Sequence, residues 1–169
     1  MGVHLVLGGA RSGKSSHAER LALAADGPLH YVATAETGDD EMRARVAHHR
    51  ATRSSRFATH EETLDLAGTL VALDGPDETV VVDCLTLWLT NWLVGDPEGW
   101  PAARDALLEA LPSLASDVLL VSNEVGQGVV PMGALSRRFV DEAGWLHQDL
   151  AALADRVTFV VAGLPQRLK

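Results

Sequence analysis

The chain has 169 residues, 47% hydrophobic and 22% charged, a globular composition long enough to bury roughly 70% of its unfolded surface in one domain. This excludes a disordered tail, a fibre and a small disulfide-stapled scaffold, and one domain over residues 1–169 is expected. Twenty-three acidic against fourteen basic side chains give a net charge of −9, which disfavours a polyanion, so no nucleic-acid partner is expected. Cys84 stands alone, so an intrachain disulfide and a cysteine zinc cluster are excluded and a reducing, cytoplasmic setting fits. Met1-Gly2-Val3-His4 has no basic run ahead of an apolar one, and neither a signal peptide nor a membrane span is expected.

In chain order, a β-branched apolar run predicts a strand over Val3–Leu7. Gly8-Gly9-Ala10-Arg11-Ser12-Gly13-Lys14-Ser15 follows at once and fits G-x-x-x-x-G-K-[ST]. A phosphate loop needs glycine because successive backbone N–H groups must close around phosphate oxygens where a Cβ would obstruct them, and the following helix adds partial positive charge. Lys14 supplies a point cation for the β and γ phosphates, and the Ser15 hydroxyl is placed to ligate Mg²⁺. Lys14 and Lys169 are the only lysines. The competing reading is an ordinary glycine turn that happens to hold a lysine.

A helix is predicted over Lys14–Ala25, closed by Asp26-Gly27-Pro28, and a strand over Leu29–Thr34. The next helix, Asp39–Ala51, opens on three acids, Asp39-Asp40-Glu41, which complement its dipole. Between Glu41 and His60 lie five arginines, Arg43, Arg45, Arg50, Arg53 and Arg56, with His48, His49 and His60 among them. That patch can receive a small anion in an otherwise acidic chain. On a helical wheel Met42, Val46 and His49 fall within about 60° of one another, so His49 shares the inward face and His48 does not. A histidine so placed is either a satisfied core residue or a nucleophile able to form a phosphoramidate, with arginines to stabilise the charge.

A helix over Glu61–Leu73 ends at Asp74-Gly75-Pro76, and a strand over Thr79–Cys84 carries Asp83 near its end. P-loop proteins take a second Mg²⁺ ligand from such a position, although Asp83 also suits the cap of the helix Leu85–Val94. On that helix Trp88 and Trp92 form an apolar surface read as core, with a subunit contact as the competing role. Gly95-Asp96-Pro97 precedes a helix over Pro101–Ala115. A strand over Val118–Ser122, a helix over Leu135–Ala154 and a strand over Val157–Ala162 complete the order. Strands alternating with helical crossovers predict an α/β, P-loop NTPase-like fold, mostly parallel with helices on both faces. Ligands then gather beyond the carboxyl ends of the strands. No N-K-x-D motif and no glutamine after Asp83 appear, which argues against a regulatory GTPase.

Together these residues resemble the bifunctional adenosylcobinamide kinase/adenosylcobinamide-phosphate guanylyltransferase family of cobalamin biosynthesis. The resemblance rests on the phosphate loop, Tyr31-Val32-Ala33-Thr34-Ala35, Asp40-Glu41-Met42 leading to His48-His49-Arg50, and Asp83-Cys84-Leu85-Thr86. It continues through Ser122-Asn123-Glu124-Val125-Gly126-Gln127-Gly128-Val129-Val130-Pro131 to Val160-Val161-Ala162-Gly163, and so covers essentially the whole chain. It implies phosphorylation of adenosylcobinamide by ATP or GTP, then transfer of GMP from GTP to adenosylcobinamide phosphate with release of pyrophosphate. It further implies that His49, second of the pair, carries the GMP, with Lys14 assisting, and that the protein forms a homotrimer. Nucleotide contacts carry over to Gly8, Gly9, Ala10, Arg11, Ser12, Gly13, Lys14, Ser15, Ala33, Thr34, Ala35, Arg50, Arg53, Glu61 and Asp83, with Mg²⁺ on Ser15 and Asp83. Aspartate at position 83 stands where some members have glutamate, and Arg50 where lysine also occurs. Glu124 is left outside the catalytic set, its loop reading equally as structural. The rival readings are a P-loop kinase of another small metabolite and a nucleotide-gated binding protein.

Overall fold

The fold is described from a computed structural model over residues 2–35 and 54–169. The expected helix Asp39–Ala51, with Arg43, Arg45, His48, His49 and Arg50, lies outside the described residues, as does Arg53 beyond it. The strands are β1 (Val3–Gly8), β2 (Leu29–Ala33), β3 (Phe57–Glu61), β4 (Thr79–Asp83), β5 (Asp117–Asn123), β6 (Arg156–Val161) and β7 (Leu164–Arg167). The helices described are α1 (Lys14–Ala22), α2 (Leu66–Ala72), α3 (Leu85–Gly95), α4 (Trp100–Ala110) and α5 (Ala134–Leu153). One sheet of seven strands runs β3-β2-β4-β5-β1-β6-β7, parallel except for the final β6–β7 pair. β1 leads outward to β2 and β3, the chain returns through β4 and β5, and then crosses β1 to β6, so β1 lies where the connections part.

Strand alternation sorts the interior into two layers. Leu5, Val80, Val82, Val118, Leu120 and Val157 face a core shared with α2 to α5. Val6, Val81, Leu119, Val121 and Val160 face the smaller layer under α1, with Ala18 and Ala22. Helices therefore cover both faces, as the buried apolar strands require. Trp88 is fully buried and packs edge-on against Trp100, ring centroids 5.1 Å apart, so its core reading holds. Among the described residues no helix is long and apolar enough to cross a membrane.

Two expectations are corrected. Residues 57–61 form a strand where a helix was expected to begin at Glu61, and that helix starts at Leu66, where the Asp65 carboxylate accepts from the Gly68 amide at 3.0 Å. The helix expected over Pro101–Ala115 stops at Ala110, and Leu111–Ser113 tighten into a 3₁₀ turn as Pro112 enters. Past β6, Ala162 and Gly163 both have positive φ, 51° and 78°, the two-residue turn that returns a hairpin with the right twist. β7 pairs antiparallel through it.

Burial above all, then the charges of Arg156 and His17, pushes the His4 imidazole down to about 4. Its Nε2 shares a 2.8 Å hydrogen bond with Thr158 Oγ1. An unfolded histidine titrates near 6.5, so between that pH and about 4 the unfolded chain binds a proton that the native state refuses, and stability falls as the pH drops through that window. His17, His60 and His147 shift in the same direction, each chiefly through burial. Thermal melts should therefore lose Tm steadily from pH 7 to pH 5, less so in His4→Asn, and a Tm flat across that range would contradict the assignment.

Candidate functional site

The phosphate-loop residues close between β1 and α1. Gly13 caps α1 with φ +91°, and no side chain occupies the helix amides, which leaves them directed into the loop as an anion site needs. Arg11, at φ 54°, and Gly13 alternate left-handed backbone with ordinary geometry, the local form of an anion-binding nest. Substitution at Gly13 meets two obstacles: its φ, and a Cβ that would stand 3.3 Å from Gly163 Cα. The hairpin turn thus buttresses the loop, and the Gly163 amide donates to the Ser12 carbonyl at 2.8 Å. Lys14 is buried and its ammonium donates to the Gly9 carbonyl at 3.1 Å. Two buried polar atoms beside the loop, Ser12 Oγ and Asn123 Oδ1, have no hydrogen-bond partner, the mark of a place where other polar atoms arrive.

Strand register brings further candidates to the same edge. Ala33 pairs with Glu61 on one side and Asp83 on the other, so the three share a row at the carboxyl ends of β3, β2 and β4. Tyr31 Oη donates to Asp83 Oδ2 at 2.7 Å on the α1 face, fixing one carboxylate oxygen. The Cys84 thiol is pushed up to about 11 by burial and then by the Asp83 charge, while Lys14 pulls the other way, so the loop cation and this carboxylate act on one point. Ser15 and Asp83 offer a hydroxyl and a carboxylate, the hard oxygen donors that Mg²⁺ accepts alongside phosphate and water. Among the described residues no group of three or more His, Cys, Asp or Glu is assembled as a metal cage, and phosphate-held Mg²⁺ needs none.

Thr34 is fully buried: its hydroxyl donates to the Cys84 carbonyl at 2.6 Å and accepts from the Cys84 amide at 2.8 Å. Asn91 Nδ2 donates to the carbonyls of Thr34 and Thr63, at 2.8 and 3.0 Å, tying the segments after β2 and β3 to α3. Thr34→Val keeps the volume but leaves the Cys84 amide without its partner, while the Cys84 carbonyl still accepts from the Trp88 amide at 3.2 Å; the buried amide left unpaired costs about 1–3 kcal/mol. Chemical denaturation should show that loss in the midpoint, and an unchanged midpoint would contradict the clamp.

Arg56 leaves the expected anion patch: its guanidinium donates to the carbonyls of Leu23 and Ala25, 2.9 and 2.8 Å, closing the end of α1. His60 likewise pairs with His30 at 3.0 Å, and His30 with Glu78 at 2.7 Å. Arg50 and Arg53 lie outside the described residues, as does His49.

One constellation escaped the sequence reading. His147, buried on α5, shares a 2.7 Å hydrogen bond through Nε2 with Ser122 Oγ, and its Nδ1 lies 4.0 Å from Glu124 Oε2. Ser122 and Glu124 flank the end of β5, and the Glu124 amide donates to the Gly8 carbonyl at 3.0 Å. The partners stand twenty-five residues apart and meet only when α5 packs on the sheet, and no local spacing signals that.

Comparisons with known proteins bear on the family and the fold. The family model described as cobinamide kinase / cobinamide phosphate guanyltransferase matches residues 4–168. A bifunctional adenosylcobalamin biosynthesis protein CobP of Pseudomonas aeruginosa is 56% identical over 166 residues, covering 98% of this chain and 96% of that one. The corresponding CobU protein of Salmonella typhimurium is 41% identical over 180 residues, with 98% of each chain covered. Among solved structures, a protein of Pyrococcus horikoshii superposes with a TM-score of 0.60 at 9% identity over 99% of this chain and 86% of its own. A RadB recombinase superposes at 0.53 with 17% identity, over 93% and 73%. These two support the P-loop NTPase-like fold alone.

Proposed function

Because this chain belongs to the cobinamide kinase / cobinamide phosphate guanyltransferase family, we propose that it phosphorylates adenosylcobinamide with ATP or GTP and then transfers GMP from GTP to the product, through a GMP adduct on His49. The observation that carries the nucleotide half is the α1 N-terminus, opened by Gly13 and free of any side-chain cap beside the buried Lys14. For His49 the support is its place on the inward face of an arginine-rich helical pattern and the family itself.

The loop amides and Lys14 hold the β and γ phosphates and neutralise the charge that collects on them. Ser15 and Asp83 would hold Mg²⁺, which when bound screens the phosphate oxygens. Arg50 and Arg53 grip the triphosphate from the segment beyond β2, with Ala33, Thr34, Ala35 and Glu61 lining the nucleotide's side of the edge. Neutral His49 attacks the α phosphorus; the bond to the bridging oxygen breaks, and pyrophosphate leaves with its electron pair. The phosphate of adenosylcobinamide phosphate then attacks the same phosphorus, forming the diphosphate bridge and freeing the imidazole. In the phosphorylation half the substrate hydroxyl attacks the γ phosphorus instead. Buried, reduced Cys84 suits a cytoplasmic home, and a homotrimer is the assembly we expect.

Incubation with adenosylcobinamide, GTP and Mg²⁺ should yield adenosylcobinamide phosphate first and adenosylcobinamide-GDP second. Nucleotide turnover stimulated by some other small alcohol, with cobinamide inert, would replace this reading with an ordinary metabolite kinase.

A further inference from the structure

We propose that Glu124 is the general base of the phosphorylation half-reaction, with His147 and Ser122 positioning it from behind; this inference rests on the functional reading above. Among the described residues, Glu61 on β3, Asp83 on β4 and Glu124 directly after β5 bring carboxylates to the carboxyl edge of the sheet. Adjacent strands lie about 4.8 Å apart. With the order β3-β2-β4-β5-β1, Glu61 stands four strands, roughly 19 Å, from the phosphate-loop strand, and Asp83 two strands, roughly 10 Å. Glu124 follows the immediate neighbour, and its own amide is bonded to the first glycine of the loop. A hydroxyl lined up on a γ phosphorus above that loop has Glu124 as the nearest of the three bases.

The side chain is prepared for one task. Oε1 accepts from the Gly126 amide at 2.5 Å, which fixes the carboxylate plane and turns Oε2 towards His147. The imidazole is itself held by Ser122 Oγ. That hydrogen bond satisfies the buried serine–histidine pair within the apolar layer of Leu146 and Leu150, and so keeps the imidazole in place behind the Glu124 carboxylate. A turn-stapling role would be complete with the Gly126 bond alone. Beside Glu124, Val125 opens an apolar cleft of about 420 Å³ lined also by Leu93, Pro131, Leu135 and Phe139. It suits a bulky substrate whose hydroxyl arm reaches the rim.

In the step, the substrate O–H bond breaks and its proton passes to Glu124. The alkoxide oxygen forms the new bond to the γ phosphorus, and the bond to the β-phosphate oxygen breaks with its electron pair leaving on the nucleoside diphosphate. Guanylyl transfer uses a phosphate nucleophile that is already ionised and has no such proton to remove.

The test measures two reactions on each protein: phosphorylation of adenosylcobinamide, and GMP transfer to adenosylcobinamide phosphate supplied ready-made. Glu124→Gln should lower kcat for phosphorylation by roughly 10²–10⁴-fold, the scale of losing a general base, with the cobinamide KM little moved and the transfer reaction far less affected. Glu124→Asp should recover part of that kcat, and His147→Gln should lower kcat by a smaller factor at constant KM. Phosphorylation by Glu124→Gln at the wild-type rate, or equal loss of both reactions, would overturn the proposal. Wild-type protein inactive in both reactions would instead overturn the functional reading beneath it.

Discussion

His49→Ala should lose GMP transfer by roughly 10⁴–10⁶-fold, the scale of removing a nucleophile, while continuing to phosphorylate adenosylcobinamide. The asymmetry follows from where each half-reaction strikes. On the proposed mechanism, transfer needs the His49 imidazole at the α phosphorus, with pyrophosphate leaving, whereas phosphorylation breaks the outer bridge and asks nothing of His49. Separate assays of the two reactions on one preparation check this, since preserved phosphorylation shows the variant folded. Transfer that survives the substitution would mean GMP passes directly between substrates or through another residue.

Lys14→Met should damage both reactions together, by roughly 10²–10³-fold, as expected on removing a preorganised charge from a phosphate clamp. The flexible apolar replacement retains the stem but cannot donate to the Gly9 carbonyl or neutralise phosphate. Because Lys14 is buried against the loop, solvent cations cannot fill its place. Steady-state rates for each half and nucleotide affinity by titration check the result, with circular dichroism to establish folding. Near-normal rates in both would show that the triphosphate is held elsewhere.

Much of the fold is readable along the chain because the central strands are short apolar runs: Val3 to Leu7, Val80 to Val82 and Val118 to Val121 are buried on both faces and leave no polar face to confuse the pattern. The two edge strands carry no such signal. Phe57-Ala58-Thr59-His60-Glu61 buries only Phe57 deeply, so it shows no apolar run to mark a strand, and its last residue, Glu61, reads as the start of a helix. Leu164-Pro165-Gln166-Arg167 is exposed throughout and holds a proline, a residue that a sheet edge tolerates and an interior strand does not. Asp65, a cap residue directly before Leu66, marks the start of α2 better than Glu61 does.

The site divides on the same principle. The phosphate loop is contiguous, so its chemistry is legible residue by residue, and Asp83 is legible because it ends an unmistakable strand. Thr34 reads as a ligand contact by resemblance, yet its hydroxyl spends both its capacities on Cys84, a fact set by packing between β2 and β4. Arg56 belongs to the basic cluster in sequence but to the end of α1 in space. Ser122, Glu124 and His147 meet only through the docking of α5.

The central claim is most directly tested in a single turnover with GTP labelled at the α phosphate and no corrinoid present. The protein should retain label in a linkage labile to acid and stable to alkali, on the peptide containing His49, and adding adenosylcobinamide phosphate should move that label into adenosylcobinamide-GDP. Product formed at full rate while the protein never carries label would contradict the account.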